Sequence, residues 1–414
     1  MKAFALKNII FYVLLSFLLG LFLIRDFTYI SNISLIILFC VAVYYYIKNR
    51  TQFNIKSFFP WLFYMTPMLM HLSHAFYISL GNEYYYIETL TLKTAFVFLP
   101  FSFAVLPVLP KHKYLLLLFY FLVCNVIFCL GILTNYLLNF NEINESYIHS
   151  KILPTPVNHI RFSLMTITSI CIAYYLIKEK FSFLNTLLKK YLIGTILFLT
   201  LFLHIYSVRS GLFILYFLVF GFGLYQIFIK KQKKIVLISF ITSILFILVS
   251  YTLFPTFKNK IINTYKDLSS INHEKSAVQN SLGGRLISYQ VALSIFCDNP
   301  HLGVGVANLK SKTINEYEKK IPIIQSHMIK LPHNEFIRVA VSFGWIGLIV
   351  FIISFYATPI YLKSQLSFLF IIQYIITSLS FIIEGTLHTV HGLYYSMIFI
   401  LLPLYFNKNQ NLKN

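Results

Sequence analysis

The chain has 414 residues, of which 58% are hydrophobic, 18% aromatic and only 11% charged, and its mean hydropathy is +0.74. Too little polar surface is available to clothe a soluble domain, so a water-soluble globular protein is excluded. The formal net charge of +21 is carried by lysines and arginines in short clusters between apolar runs, which argues for membrane topology and against a nucleic-acid partner.

Apolar runs long enough to cross a hydrocarbon core of about 30 Å as helices recur from end to end. Twelve are expected, at 9–24, 30–47, 58–78, 92–109, 114–134, 162–177, 191–208, 211–229, 235–254, 336–361, 366–383 and 391–406. The fold class is therefore an all-α integral membrane protein with about 12 transmembrane helices and one large loop carrying short helices. The first run lacks a small-residue cleavage site and reads as a retained helix, not a signal peptide. Residues 1–253 hold helices one to nine, 254–335 form the large polar insert, and 336–414 hold the last three helices and a short Asn/Lys-rich tail. Of the five cysteines, Cys40, Cys124, Cys129 and Cys171 lie in apolar runs and Cys297 in the insert; neither a disulfide framework nor a cysteine metal site follows.

An even number of crossings puts both termini on one side. With the amino terminus in the cytoplasm, the inside segments carry eighteen of the 34 Lys and Arg residues, including the run Lys230 to Lys234. The short outside loops carry only Arg25, Lys93, Lys151, Arg161 and Arg209. This bias turns the large insert outward, to the periplasm or cell exterior of a bacterium.

Outward polar segments are where water-facing chemistry is expected. The loop before the sixth helix contains Pro154, Pro156, His159 and Arg161. Between helices seven and eight, Ser207-Val208-Arg209-Ser210-Gly211 interrupts an apolar run too long for one crossing, so the chain must turn back at Arg209. Within the insert, Leu286, Tyr289, Leu293 and Phe296 recur with helical spacing, predicting an amphipathic helix at the outer interface over 285–297. Gly283-Gly284 precede it, Arg285 stands in its first turn and Asp298-Asn299-Pro300 stop it.

Guanidinium is always charged and offers a planar fork of donors that matches phosphate oxygens, so Arg209, Arg285 and Arg161 are candidates to hold a diphosphate at the membrane surface. The plainer alternative, strongest for Arg161, is an arginine that only anchors the helix end. His333, in Leu331-Pro332-His333-Asn334-Glu335 where the insert re-enters the membrane, suits a general base acting on a sugar hydroxyl, or else a helix-start surface residue. Gly344 and Gly347 suggest close helix packing beneath it. Glu384, His388 and His391 have a spacing that could hold a metal on one helix face, but Gly385 and Gly392 argue against a continuous helix there. His71 and His74 read as buried hydrogen-bonding residues.

Several of these motifs occur in an order that resembles the O-antigen ligase and polymerase superfamily. They are Val208-Arg209-Ser210-Gly211, Gly284-Arg285, Asn299-Pro300-His301-Leu302-Gly303-Val304-Gly305, and Pro332-His333-Asn334-Glu335 with Gly344 and Gly347. The resemblance implies a twelve-helix glycosyltransferase of the C type with a large periplasmic loop. Its donor would be an undecaprenyl diphosphate-linked glycan and its acceptor lipid A-core, with no metal or nucleotide cofactor. Arg209 and Arg285 would bind the donor diphosphate and His333 would activate the acceptor hydroxyl. Arg161, His159 and Asn334 are further candidates to line the substrate site. The implied location is the bacterial inner membrane, with the site periplasmic.

The chain has no G-x-x-x-x-G-K loop, and its only aspartates, Asp26, Asp267 and Asp298, form no D-x-D pair; nucleotide hydrolysis and metal–nucleotide-sugar chemistry lack their usual residues. A polymerase, whose acceptor is a second lipid-linked unit, stays open beside the ligase. A protein O-oligosaccharyltransferase and a polysaccharide transporter are the more remote readings.

Overall fold

The computed structural model describes residues 3–52, 55–77, 82–148, 151–179, 186–269, 281–322, 324, 328–362 and 366–408. Of the insert's histidines, His273 and His327 lie outside the described residues. The protein is an all-α integral membrane protein; no strand occurs among the described residues. In chain order the helices are α1 (Ala3–Leu23), α2 (Thr28–Asn49), α3 (Ile55–Ser73), α4 (Glu83–Lys93), α5 (Ala95–Val105), α6 (Lys111–Leu138), α7 (Phe140–Ile148), α8 (His159–Lys178) and α9 (Thr186–Tyr206). They continue with α10 (Arg209–Phe228), α11 (Lys233–Leu253), α12 (Pro255–Ser269), α13 (Ser281–Asp298), α14 (Leu309–Lys320), α15 (Glu335–Tyr361), α16 (Phe368–Ile383) and α17 (Val390–Asn407).

Each expected apolar run is helical, and 10 helical stretches among the described residues are long and apolar enough to cross a membrane. The two remaining runs correspond to α3, interrupted by Pro60 and Pro67, and α16, which has only 16 residues. The apolar surface is arranged for lipid. On α11, Leu237, Ile238, Phe240 and Leu245 are all exposed, which only a hydrocarbon solvent makes favourable. By contrast, α17 is buried at almost every position from His391 to Tyr405.

The chain divides into two compact units, one of residues 1–117 and 267–414 and the other of residues 118–266. In the first, α17 packs against α16, α5 and α1, and α15 packs against α3 and α13. About a third of the way along α15 the helix breaks at Gly344, whose φ of 68° is in the left-handed region. The loop after α13 docks on this break: Val304 and Gly305 donate their N–H groups to Val341 and Ser342 O, both at 3.0 Å, and Trp345 N–H bonds Pro300 O at 2.8 Å. A Cβ on Gly344 would stand 2.0 Å from His301 O, so the glycine is what lets the two backbones meet. Trp345 Nε1 then donates to His301 Nδ1 at 2.7 Å. The Asn299–Gly305 motif thus bolts the carboxyl end of α13 to the break in α15.

In the second unit, Ser207 adopts a φ of 54° and Val208 is extended, so α9 turns directly into α10 at Arg209. The return is tight because Gly211 lies on α8, where an added Cβ would meet Ser163 Cβ at 2.6 Å. Around the same turn, Tyr147 of α7 donates its hydroxyl to Tyr206 O at 2.9 Å and accepts from Leu153 N–H at 3.2 Å. Thr256 of α12 donates to Ile205 O at 2.6 Å, and Asn263 to Tyr147 O at 2.6 Å.

Two expectations need correction. Helix α13 begins at Ser281, not Arg285, so Gly283 and Gly284 lie inside it. Its buried stripe is Ile287, Val291, Ala292 and Ile295, while Leu286 and Leu293 are exposed. The reason is tertiary: the helix packs into a cluster with Val304, Leu309, Tyr317 and Val341, and β-branched residues and alanine fit that contact. Lys93, counted above as a loop cation, is inside α4 and only 1% exposed.

Candidate functional site

A carboxylate joins two of the sequence-nominated residues. Arg285 Nη2 donates to Glu384 Oε1 at 3.1 Å, and His333 Nδ1 lies 3.0 Å from Glu384 Oε2. The three come from different elements: the second turn of α13, the residue two before α15, and the carboxyl-terminal cap of α16. The Glu384 side chain is 8% exposed, while Arg285 and His333 are 24% and 33% exposed. An ionised carboxylate only accepts, so Nδ1 of His333 carries the hydrogen and Nε2 is left as the accepting nitrogen.

The surroundings hold this geometry. Tyr289, one turn after Arg285, donates its hydroxyl to His333 O at 2.8 Å. Asn334 caps α15 by accepting from Ile337 N–H at 3.0 Å and donates to Ile382 O at 3.1 Å. Its amide therefore ties the His333 segment to the last turn of α16. Lys330 adds a second cation: burial and, after it, the neighbouring Arg285 lower its ammonium from the usual lysine range. Burial likewise pushes up the Tyr289 phenol.

Behind this cluster lies a second one, all of it in the first unit. Glu335 and Lys93 are each 1% exposed and hold the two backbone polar groups of the same residue: Glu335 Oε2 accepts Leu387 N–H at 3.0 Å, and Lys93 Nζ donates to Leu387 O at 2.6 Å. His388 Nε2 stands 3.2 Å from Glu335 Oε1 but lacks hydrogen-bond geometry. Burial, followed by the fields of Arg338 and Lys93, holds this imidazole well below the usual histidine range. The pair is thus a neutral ring beside an acid, not an ion pair. His71 lines the same small cavity with Lys93, Glu335, Phe343 and His388, and its Nδ1 lies 2.7 Å from Pro67 O. Glu384, His388 and His391 do not converge, and among the described residues no group of three His, Cys, Asp or Glu side chains could hold a metal.

Arg209 and Arg161 belong to the second unit. Arg209 opens α10, and Arg161 lies in the first turn of α8, buried, two residues before the Ser163 on which Gly211 packs. His159 is the first residue of α8, behind the capping Asn158. These residues gather at one end of that unit, while Arg285, His333 and Asn334 gather in the other.

Residues 193–352 match the family model described as O-antigen ligase. This match supports a kinship with the O-antigen ligase and polymerase superfamily over that part of the chain. No curated protein matches it. The superfamily match encloses Arg209, Arg285 and His333, but Glu384 and Lys93 lie outside it. Together with the apolar helices, the match supports a multi-pass bacterial membrane protein with function of the O-antigen ligase/polymerase type, glycosyltransferase-like and directed at lipid and lipid-linked glycan in general.

Glu384, Glu335, Lys93 and Tyr289 were not among the residues nominated for that chemistry. One signal was available: an acid or lysine within a nearly charge-free apolar region must find a partner. That marks Glu384 and Lys93 as structurally committed without naming the partner.

Proposed function

We propose that this protein is an O-antigen ligase that moves a glycan from undecaprenyl diphosphate onto a sugar hydroxyl of lipid A-core. The reaction takes place on the periplasmic face of the bacterial inner membrane, without a metal or nucleotide. The observation that carries this reading is the sharing of Glu384 by Arg285 and His333, which brings a phosphate-matching cation and an oriented imidazole to one carboxylate. In the transfer, His333 Nε2 takes the proton of the acceptor hydroxyl as its oxygen bonds the anomeric carbon. The bond from that carbon to the diphosphate oxygen breaks and its electron pair leaves with the carrier. Arg285 stabilises the charge that develops there.

The outward placement is supported by the lysine bias, with both termini cytoplasmic. The division into residues 1–253, 254–335 and 336–414 serves this role, the middle segment supplying Arg285 and His333 between two sets of membrane helices.

The test is the glycolipid profile of a deletion strain complemented with wild type or His333→Ala. A ligase leaves free core and long polymer on its carrier when it is deleted, and His333→Ala reproduces that profile at normal protein level. Full transfer by the variant removes the base. Core bearing a single repeat unit in the deletion strain would assign the polymerase instead, a reading the superfamily also covers.

A further inference from the structure

We infer that Glu384 is a positioning residue that is handed over during the reaction: it neutralises Arg285 until the donor arrives, yields that arginine to the donor's diphosphate, and stays on His333 Nδ1. The inference rests on the ligase reading above and adds an order to it, with the lipid diphosphate bound before the base is committed.

Glu384 uses one oxygen for each partner, at 3.1 Å to Arg285 Nη2 and 3.0 Å to His333 Nδ1. Arg285 reaches Glu384 through one guanidinium nitrogen, Nη2, whereas a phosphate engages the fork with two parallel bonds. A diphosphate therefore competes for Arg285 with better geometry and more charge. The carboxylate cannot follow the arginine, because its main chain is fixed: Glu384 N–H bonds Ser380 O at 2.8 Å at the end of α16. Next to it, Asn334 ties the same turn to the His333 segment. On the imidazole side the contact survives the exchange, since Tyr289 and Asn334 hold the His333 backbone. Once Arg285 has turned to the diphosphate, the full carboxylate charge faces Nδ1–H. It fixes the tautomer and stabilises the imidazolium that forms as Nε2 accepts the acceptor's proton.

This assigns opposite effects to a single substitution. Glu384→Gln removes the competitor for Arg285 but leaves a weaker partner for the imidazole. Binding of undecaprenyl diphosphate to the purified, detergent-solubilised protein is expected to tighten about tenfold, the worth of one charge-assisted hydrogen bond. The rate of transfer at saturating donor is expected to fall at least about a hundredfold. In Glu384→Gln with Arg285→Gln the gain in binding should vanish, because it belongs to the freed guanidinium. A residue of merely structural importance would weaken both binding and turnover.

Unchanged or weaker binding of undecaprenyl diphosphate by Glu384→Gln overturns the handover, as does wild-type turnover. Should that variant not purify as a monodisperse protein, Glu384→Asp keeps the charge but is too short to span both partners. It is expected to lose at least about tenfold in turnover, and wild-type turnover there is equally fatal. His333→Ala, assayed alongside, separates the levels: an active His333→Ala overturns the ligase mechanism itself. An inactive His333→Ala beside a fully active Glu384→Gln overturns only the role given to Glu384.

Discussion

Removing either member of the buried Lys93 and Glu335 pair should destabilise the protein far more than removing both. Each side chain is 1% exposed, each holds one backbone polar group of Leu387, and each lies in the other's electrostatic field. Lys93→Met takes from the Glu335 carboxyl the stronger-acting of its two cations, leaving Arg338, and frees Leu387 O; Glu335→Leu strands a lysine among helices and frees Leu387 N–H. A buried partner left alone costs about 3–5 kcal/mol, and the orphaned backbone group about 1–3 kcal/mol more. In the double variant no charge is stranded, so only the two backbone losses and the repacking remain. The four proteins of this cycle, unfolded in mixed micelles under denaturant, should give a coupling energy of at least about 2 kcal/mol. Additive single effects would refute the pairing and leave the two residues as independent tethers of Leu387.

Two further outcomes follow from the same unit. Gly344→Ala requires a side chain at φ 68° and 2.0 Å from His301 O. It should detach the Asn299–Gly305 loop from α15 and lower stability by more than about 3 kcal/mol, seen as loss of monodisperse protein on size-exclusion chromatography. His388 is held neutral, well below its ordinary 6.5, so the folded state binds fewer protons there than the unfolded state. That contribution is fully present above pH 6.5 and is lost as pH falls below it. His388→Asn should therefore shrink the drop in Tm between pH of about 7.5 and about 5, and an unchanged drop would mean that the ring is not kept neutral.

The membrane fold was legible in the amino-acid order because lipid imposes one rule on every crossing: a run of apolar residues closed on itself as a helix. The turn at Arg209 was legible for the same reason, since its apolar run exceeds a single span. Arg285 and His333 could be nominated by chemical type and by the motif order of a known superfamily.

What the order could not contain was their meeting. Glu384 is 99 positions from Arg285 and 51 from His333, and no local pattern encodes a bond across that distance. Lys93 was misplaced because a charge at a helix end normally seeks water, and only the fold reveals the buried peptide unit that receives it. The stripe of α13 was misassigned because its own apolar spacing offered two faces, and the neighbouring α14 and α15 determined which one is covered. Hydropathy acts residue by residue and so is written in the chain; charge pairing and side-chain contact need two surfaces brought together, and those exist only once the chain has folded.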